Sequence, residues 1–251
     1  MSDTSQSIRL IPLTGLPEIE PGADLGNLIR DAADDAKVEL DRRVVVVCQK
    51  IISKAEGRLV DLSDITPSPE AIQIGRENER DPRHVEVVLR ESKRIVRRGR
   101  GVLITETHHG FVCANAGVDL SNAPGEDIAV LLPVDPDASA RRLHDALSTG
   151  PAHTPVIVTD TFGRPWREGL VDVALGSAGL APIRDDRGSL DRSGRELVVT
   201  RPAVADQLAA AAGLLMLKSA GVPVVIIEGF PFEGDGDVRE LLRDPATDLF
   251  H

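Results

Sequence analysis

Four stretches of this 251-residue sequence hold residue types that bind phosphates and hard cations. In the first, Ala114-Asn115-Ala116-Gly117-Val118-Asp119-Leu120-Ser121-Asn122, small residues let backbone N–H groups approach an anion. Asp119 supplies a carboxylate suited to Mg2+ or Mn2+, and Asn122 a hydrogen-bonding amide. An Asx turn after a strand explains the same pattern. The second stretch, residues 156–167, sets Asp160 and Thr161 after an apolar run, with Arg164 and Arg167 as grips for phosphate or carboxylate. It also holds the only Trp, Trp166, which either covers an aromatic ligand or plugs the core. The third carries Lys50 and Lys54 after the run Val44–Val47. The fourth is a helix start at Val204-Ala205-Asp206-Gln207, where helical N–H groups attract phosphate and Gln207 offers a neutral oxygen, although a plain helix cap is the commoner reason for such a start.

Composition narrows what these groups do. The net charge is −11, which repels nucleic acid, and aromatics are 2%, which leaves few stacking platforms. Lys93, Arg94, Arg97, Arg98 and Arg100 form one basic run, whose spacing fits a helix end with a solvated face. Only 5 of the 29 basic residues are Lys, so the Lys50/Lys54 pair asks for a reason, and a compact ammonium beside phosphate is one. The two cysteines, Cys48 and Cys113, suggest reduced structural thiols. No P-loop, dinucleotide fingerprint, zinc-protease motif or nucleophile elbow is present. No apolar run is long enough to span a bilayer, and Met1–Ser7 lacks the pattern of a secretory signal, so a cytoplasmic protein with no membrane partner is expected.

The elements that must position these groups mix helix and strand. Strands are expected over 8–13, 43–48, 102–105, 111–114, 128–132, 155–159 and 223–227. Helices are expected over 25–40, 84–98, 135–147, 203–218 and 238–242, with His108-His109-Gly110 as a hairpin turn. Residues 63–82 suggest a loop and a solvated helix start. The order is too irregular for a doubly wound sheet or a barrel. A mixed α/β (α+β) fold in one domain over 1–251 follows, with a two-lobed shape open and residues 1–7 as a flexible tail.

In this order the stretches resemble the coenzyme F420-0:L-glutamate ligase family, the γ-glutamyl ligases of the deazaflavin coenzyme. The landmarks are Leu13–Pro17, Ser53–Arg58, His109–Asp119, Asp160–Arg167 and Glu196–Thr200, and the likeness runs from Leu10 to about Phe250. The resemblance implies a mixed fold with a half-barrel-like sheet and an intertwined homodimer. It implies GTP as cosubstrate, two divalent ions (Mg2+ or Mn2+) and K+. One divalent ion would rest on Asp119 and Asp160, and the other on Thr161 and Gln207. Nucleotide contacts would come from Leu16, Pro17, Glu18, Ile19, Gln49, Lys54, Asn122, Val204, Ala205 and Asp206, with Lys54, Asp119 and Asp160 catalytic.

The implied reaction adds L-glutamate in γ-linkage to coenzyme F420-0, and to the once-glutamylated form, through an acyl phosphate. Gln49 stands where many relatives carry a small hydroxyl residue, and Leu217 and Leu170 where Gly and a polar residue are expected. Some relatives continue into a flavin reductase domain that this sequence does not include, so no reduction step is expected. A metal-dependent phosphohydrolase, a ligase for another acceptor and a non-catalytic binding protein remain open.

Overall fold

A computed structural model describes residues 7–248 apart from 100, 122, 126 and 151. Asn122, Arg100, Phe250 and all of the N-terminal tail but Ser7 therefore lie outside the described residues.

The chain forms β1 (Arg9–Leu13), α1 (Leu25–Asp35), β2 (Val44–Cys48), α2 (Gln49–Ala55), β3 (Leu59–Asp61), α3 (Pro69–Asn78), α4 (Pro82–Arg90), β4 (Ser92–Gly99), β5 (Val102–Thr107) and β6 (Val112–Ala114). It continues through β7 (Ile128–Val130), α5 (Pro136–Leu147), β8 (Val156–Arg164), β9 (Arg167–Ala178), α6 (Val204–Gly213) and β10 (Val224–Glu228), with short 3-10 turns between and after. The mixed α/β class is as expected. The described strands form three sheets and no closed barrel.

The main sheet has the order β1-β10-β2-β8-β9. Only β2 and β8 pair in parallel, in the register Val45↔Val156 to Cys48↔Thr159. Val44–Val47, Val156–Val158 and Val224–Ile227 are fully or almost fully buried, as a β-branched run in a covered sheet requires. A second cluster lies under α3, α4 and β5 and includes Leu62, Ile74, Val88, Leu103, Ala116 and Val118. The small β3–β7 sheet joins the two regions, with Asp119 bridged to Val130 by backbone bonds of 3.0 and 2.9 Å.

Three helices start from one local signal, a capping oxygen followed by proline: Ser68-Pro69, Asp81-Pro82 and Asp135-Pro136. The helix read over 135–147 is accordingly found as α5. The His108–Gly110 turn and the strand starts near 102, 112, 128, 156 and 224 are also found.

Several expectations fail for identifiable reasons. The helix over 84–98 stops at Arg90, and residues 92–99 form a strand paired with β5. Two register shifts, at Ser92/Arg94 and Ile95/Arg97, break the period of two and hide the strand in the sequence. The basic run is therefore not a helix end. Lys93 and Arg94 pair with Glu106, and Arg98 with Glu70. The helices over 25–40 and 203–218 end at Asp35 and Gly213. Strand β8 does not end at Asp160 but runs on to Arg164 and turns into β9, a 12-residue strand with no counterpart in the sequence reading. Trp166 sits at that hairpin tip, 80% exposed with φ 58°, so it does not plug the core. Among the described residues no helix is long and apolar enough to cross a membrane.

Helix α5 closes on β9 through a glycine. A Cβ at Gly176 would stand 2.2 Å from the Pro136 carbonyl oxygen, a backbone atom that cannot swing away. Gly176→Ala is therefore expected to destabilise the protein by about 2–4 kcal/mol. Chemical denaturation measures this, and an unchanged midpoint would show that the helix start can shift.

Candidate active site

The parallel pair β2 and β8 ends at one edge of the main sheet, and the chain leaves both strands carrying charge. Beyond Cys48 the backbone turns directly into α2, with no loop and no side-chain cap, which sets Lys50 and Lys54 beside that edge. From β8 comes Asp160, and Thr161 follows it. The opposite wall comes from the second cluster. There Asn115, Ala116 and Gly117 have φ of 51°, 52° and 70°, three consecutive left-handed residues. Two of them carry a Cβ, so the turn is strained and must be held by its surroundings. Asn115 Oδ1 accepts from the Leu103 N–H at 3.3 Å, and Ala116 and Val118 are buried. Gly117 has no room for a side chain, because a Cβ would meet Leu132 at 2.7 Å. This turn delivers Asp119.

Between the walls lies a cleft of 990 Å³, the size of a site for a large ligand. Leu16, Pro17, Glu18, Ile19, Lys50, Lys54, Asp119, Asp160 and Thr161 line it, with Leu170 and Leu217. Asp119 and Asp160, far apart in sequence, thus face one space. Gln49 does not line the cleft. It is fully buried, accepts from Ser53 Oγ at 2.8 Å, and leaves its Nε2 without a partner. Nor do the four residues at the start of α6. Val204 and Ala205 pack in the core, Asp206 Oδ1 accepts from the Ala174 N–H at 2.9 Å, and Gln207 is exposed. Arg164 and Arg167 are exposed and also lie outside the lining.

Charge in the cleft comes from lysine. Lys50, Lys54 and Lys218, three of the five lysines in the chain, line it, and among the described residues no arginine does. Lys54 is 6% exposed and ion-paired with Glu18. The Lys50 ammonium lies 2.7 Å from Asp119 Oδ2. Asp119 also accepts from Ser121 N and Ser121 Oγ at 2.8 and 2.9 Å. The Lys50 bond and the Ser121 bonds hold its carboxyl below the usual range against its own burial.

Asp160 behaves in the opposite way. Burial, with the fields of Asp119 and Asp172, pushes it up to about 7, although the Thr161 N–H and Lys50 pull it down. Its charge is under-compensated. Asp172 was not singled out in the sequence. It faces Thr161 across the β8–β9 ladder and accepts from the Thr161 hydroxyl at 2.6 Å. Reading the hairpin turn at Arg164–Arg167 would have placed it there. Ser121 and Lys218 were likewise missed as partners of Asp119. The two thiols are free, and burial pushes Cys48 up to about 11 and Cys113 up to about 12, so neither is a ready nucleophile.

The donor set fits a hard divalent cation. Two carboxylates and a hydroxyl face the cleft, and at Asp160 burial and the neighbouring carboxylates outweigh the pull of Lys50. Among the described residues no three carboxylate, imidazole or thiolate groups converge as a complete cage. Mg2+ in nucleotide-dependent enzymes is held in that way, by one or two carboxylates with water and substrate phosphates completing the shell.

Comparison with known proteins decides the family. A profile for "F420-0:Gamma-glutamyl ligase" matches residues 15–229. The chain belongs to the F420-0:gamma-glutamyl ligase family. Within it, the chain is 46% identical over 250 residues to the coenzyme F420:L-glutamate ligase of Methanothermobacter thermautotrophicus, covering 97% of this chain and 98% of that one. It is 43% identical to the protein of the same description in Methanopyrus kandleri, with 97% and 98% covered. The family member from Methanocaldococcus jannaschii is also 43% identical, over 84% of this chain and 85% of its own. The family resemblance drawn from the sequence landmarks is thereby established.

The raised Asp160 carboxyl has a consequence for stability. Below its ordinary value of 3.8 the group is protonated in both folded and unfolded chains and contributes nothing. As pH rises toward about 7 the unfolded chain releases the proton while the folded one keeps it, so stability is lost across that window. With chelator present, Asp160→Asn should match the parent near pH 4 and exceed it at pH 8, by on the order of 1–3 kcal/mol. Denaturant titrations at both pH values measure this, and an equal difference at both would contradict it.

Proposed function

We propose that this protein is a coenzyme F420-0:L-glutamate ligase that couples GTP hydrolysis to amide formation and acts in the cytoplasm. The carrying observation is the convergence of Asp119, Asp160, Thr161, Lys50 and Lys54 on one cleft. It supports this reading in a chain with near full-length similarity to proteins described as coenzyme F420:L-glutamate ligases.

A carboxylate is a poor electrophile and must be activated. In the proposed reaction the acceptor carboxylate oxygen attacks the γ-phosphorus of GTP, the bond to the β-phosphate oxygen breaks, and GDP leaves. The glutamate amine then attacks the acyl carbonyl, loses a proton, and expels inorganic phosphate. Divalent ions, Mg2+ or Mn2+, supply charge neutralisation of the phosphates when bound. Asp119 and Asp160 are the carboxylates that hold one. Thr161 serves a second, with Asp172 fixing the direction of its hydroxyl. K+ completes the ion requirement.

Lys54, on the cleft wall, provides a fixed positive charge for phosphate once Glu18 is displaced. Leu16–Ile19 form the nucleotide-side wall. Leu170 and Leu217 add an apolar rim, which helps to keep water from an acyl phosphate. Gln49, Val204, Ala205, Asp206 and Gln207 lie outside the lining of the cleft within a single chain.

Homodimer formation is part of the same proposal. Trp166, Leu190, Val198, Val199 and Leu214 are between 68% and 83% exposed, apolar side chains that a second copy of the chain would cover. Light scattering is expected to give twice 26.9 kDa. A Val198→Asp/Val199→Asp double variant should shift the protein toward monomer; a parent that is already monomeric removes this part of the reading.

Activity tests the rest. GDP release should require Mg2+ or Mn2+, glutamate and F420-0 together, and mass spectrometry should show the glutamylated product. Asp160→Asn and Lys54→Met should each lower kcat by about 10²–10⁴-fold. GDP or phosphate release that ignores glutamate and acceptor would favour the phosphohydrolase instead.

A further inference from the structure

The Lys50 ammonium is bound as an ion is bound. Its side chain is 12% exposed, and Nζ lies 2.7 Å from Asp119 Oδ2, 2.8 Å from Ser121 Oγ and 3.0 Å from the Ser121 carbonyl oxygen. An ammonium has three N–H donors, and this tripod uses all of them. The attachment is rigid at both ends. Lys50 is fixed in α2 between buried Gln49 and Ile51, and Asp119 is pinned by its bridge to Val130 and by two bonds from Ser121. Lys218 stands further off, 3.8 Å from the same Oδ2, at the rim. Lys54, four residues along the same helix, belongs to a different partner, Glu18.

A divalent cation resting on Asp119 and Asp160 needs an Asp119 oxygen. Oδ1 is taken by the Ser121 N–H, and Oδ2 by Lys50 and the Ser121 hydroxyl. The cation and the ammonium therefore claim one carboxylate, and two like charges cannot sit side by side on it without loss to both. We propose that Lys50 is a built-in competitor for the divalent cation at Asp119, a positioning residue that sets how tightly this protein holds its metal. This rests on the metal-dependent reading above. Lysine suits the task better than arginine, because a compact ammonium on a flexible stem can withdraw from one oxygen where a planar fork cannot. The chain's preference for arginine everywhere but in this cleft agrees with that requirement.

The test is Mn2+ binding alone, by calorimetry and by water-proton relaxation, on the full chain without nucleotide. Lys50→Met is expected to bind Mn2+ about 10- to 100-fold more tightly than the parent. Lys54→Met removes the same charge from the same helix and should change the affinity less than about threefold, which separates competition at Asp119 from a general gain of negative charge. If Lys50→Met does not fold by circular dichroism, Ser121→Ala replaces it; this removes one leg of the tripod with every charge left in place, and should tighten Mn2+ by about two- to fivefold. Equal or weaker Mn2+ binding by the folded Lys50 variant, with a parent that does bind Mn2+, overturns the competitor role alone. No Mn2+ binding by either protein across the millimolar range overturns the metal reading, and this inference with it.

Discussion

The site depends on one pairing, the parallel register of β2 against β8. Val45–Cys48 and Val156–Thr159 lie side by side and run in the same direction, so both carboxyl ends open at the same edge. Ligands of α/β sheets gather at such an edge because side chains and backbone groups leave the sheet there together. Here the geometry is strict. Val45–Val47 and Val156–Val158 are sealed on both faces. A slip of one residue would exchange the faces of every side chain and carry Asp160 away from Lys50. The antiparallel neighbours β10 and β9 lock the register from either side.

The second constraint is that half of the site is borrowed from another core. Asp119 does not belong to the main sheet. It follows a left-handed turn whose strain is held by burial of Ala116 and Val118 and by the lack of a side chain at Gly117. Opposed charges across the gap then do different things to two carboxylates of the same kind. Asp119 meets Lys50 and stays acidic, while Asp160, more desolvated and facing two other carboxylates, holds its proton to about neutral pH. Two aspartates with divided acidity in one cleft mark a place arranged to accept positive charge.

The sequence carried these features unevenly. Val44–Val47 and Val156–Val158 announced buried strands by composition, and Asp135-Pro136 announced its helix by capping chemistry, because both signals are local. Strand β4 was hidden by its two bulges, and β9 by the polar stretch Arg167–Asp172, whose strand character comes from its partner β8 and not from its own residues. Asp119, Asp160, Thr161 and Lys54 were legible as candidates by type and by family landmarks. Lys50 stood out as one of a lysine pair suited to phosphate, but its bond to Asp119 and Ser121 was not legible, since only the fold brings α2 against Ser121. The arginines of the Asp160 stretch attracted notice as phosphate grips, yet β8 continues past the cleft and carries Arg164 and Arg167 out to its hairpin tip. Density of charge along the chain misled where the length of a strand decided.

A cleft walled by two hydrophobic clusters also links binding to folding. Leu16–Ile19, Lys50 and Asp160 come from the side of the main sheet, and Asn115–Leu120 from the second cluster, so a ligand that fills the cleft contacts both. Separation of the clusters then requires loss of the ligand, and binding adds RT ln(1 + [L]/Kd) to the resistance of that opening. The strained turn at Asn115–Gly117 gains most, because its left-handed backbone must be held in place by its surroundings. Charge follows the same logic. A site that keeps Asp160 desolvated and Asp119 occupied by an ammonium is under electrostatic load, and positive charge delivered with a phosphate-bearing ligand relieves it on both walls together. Stability withheld from the ligand-free cleft is thus returned on binding, where it favours the ordered, water-excluding arrangement that an activated acyl group requires.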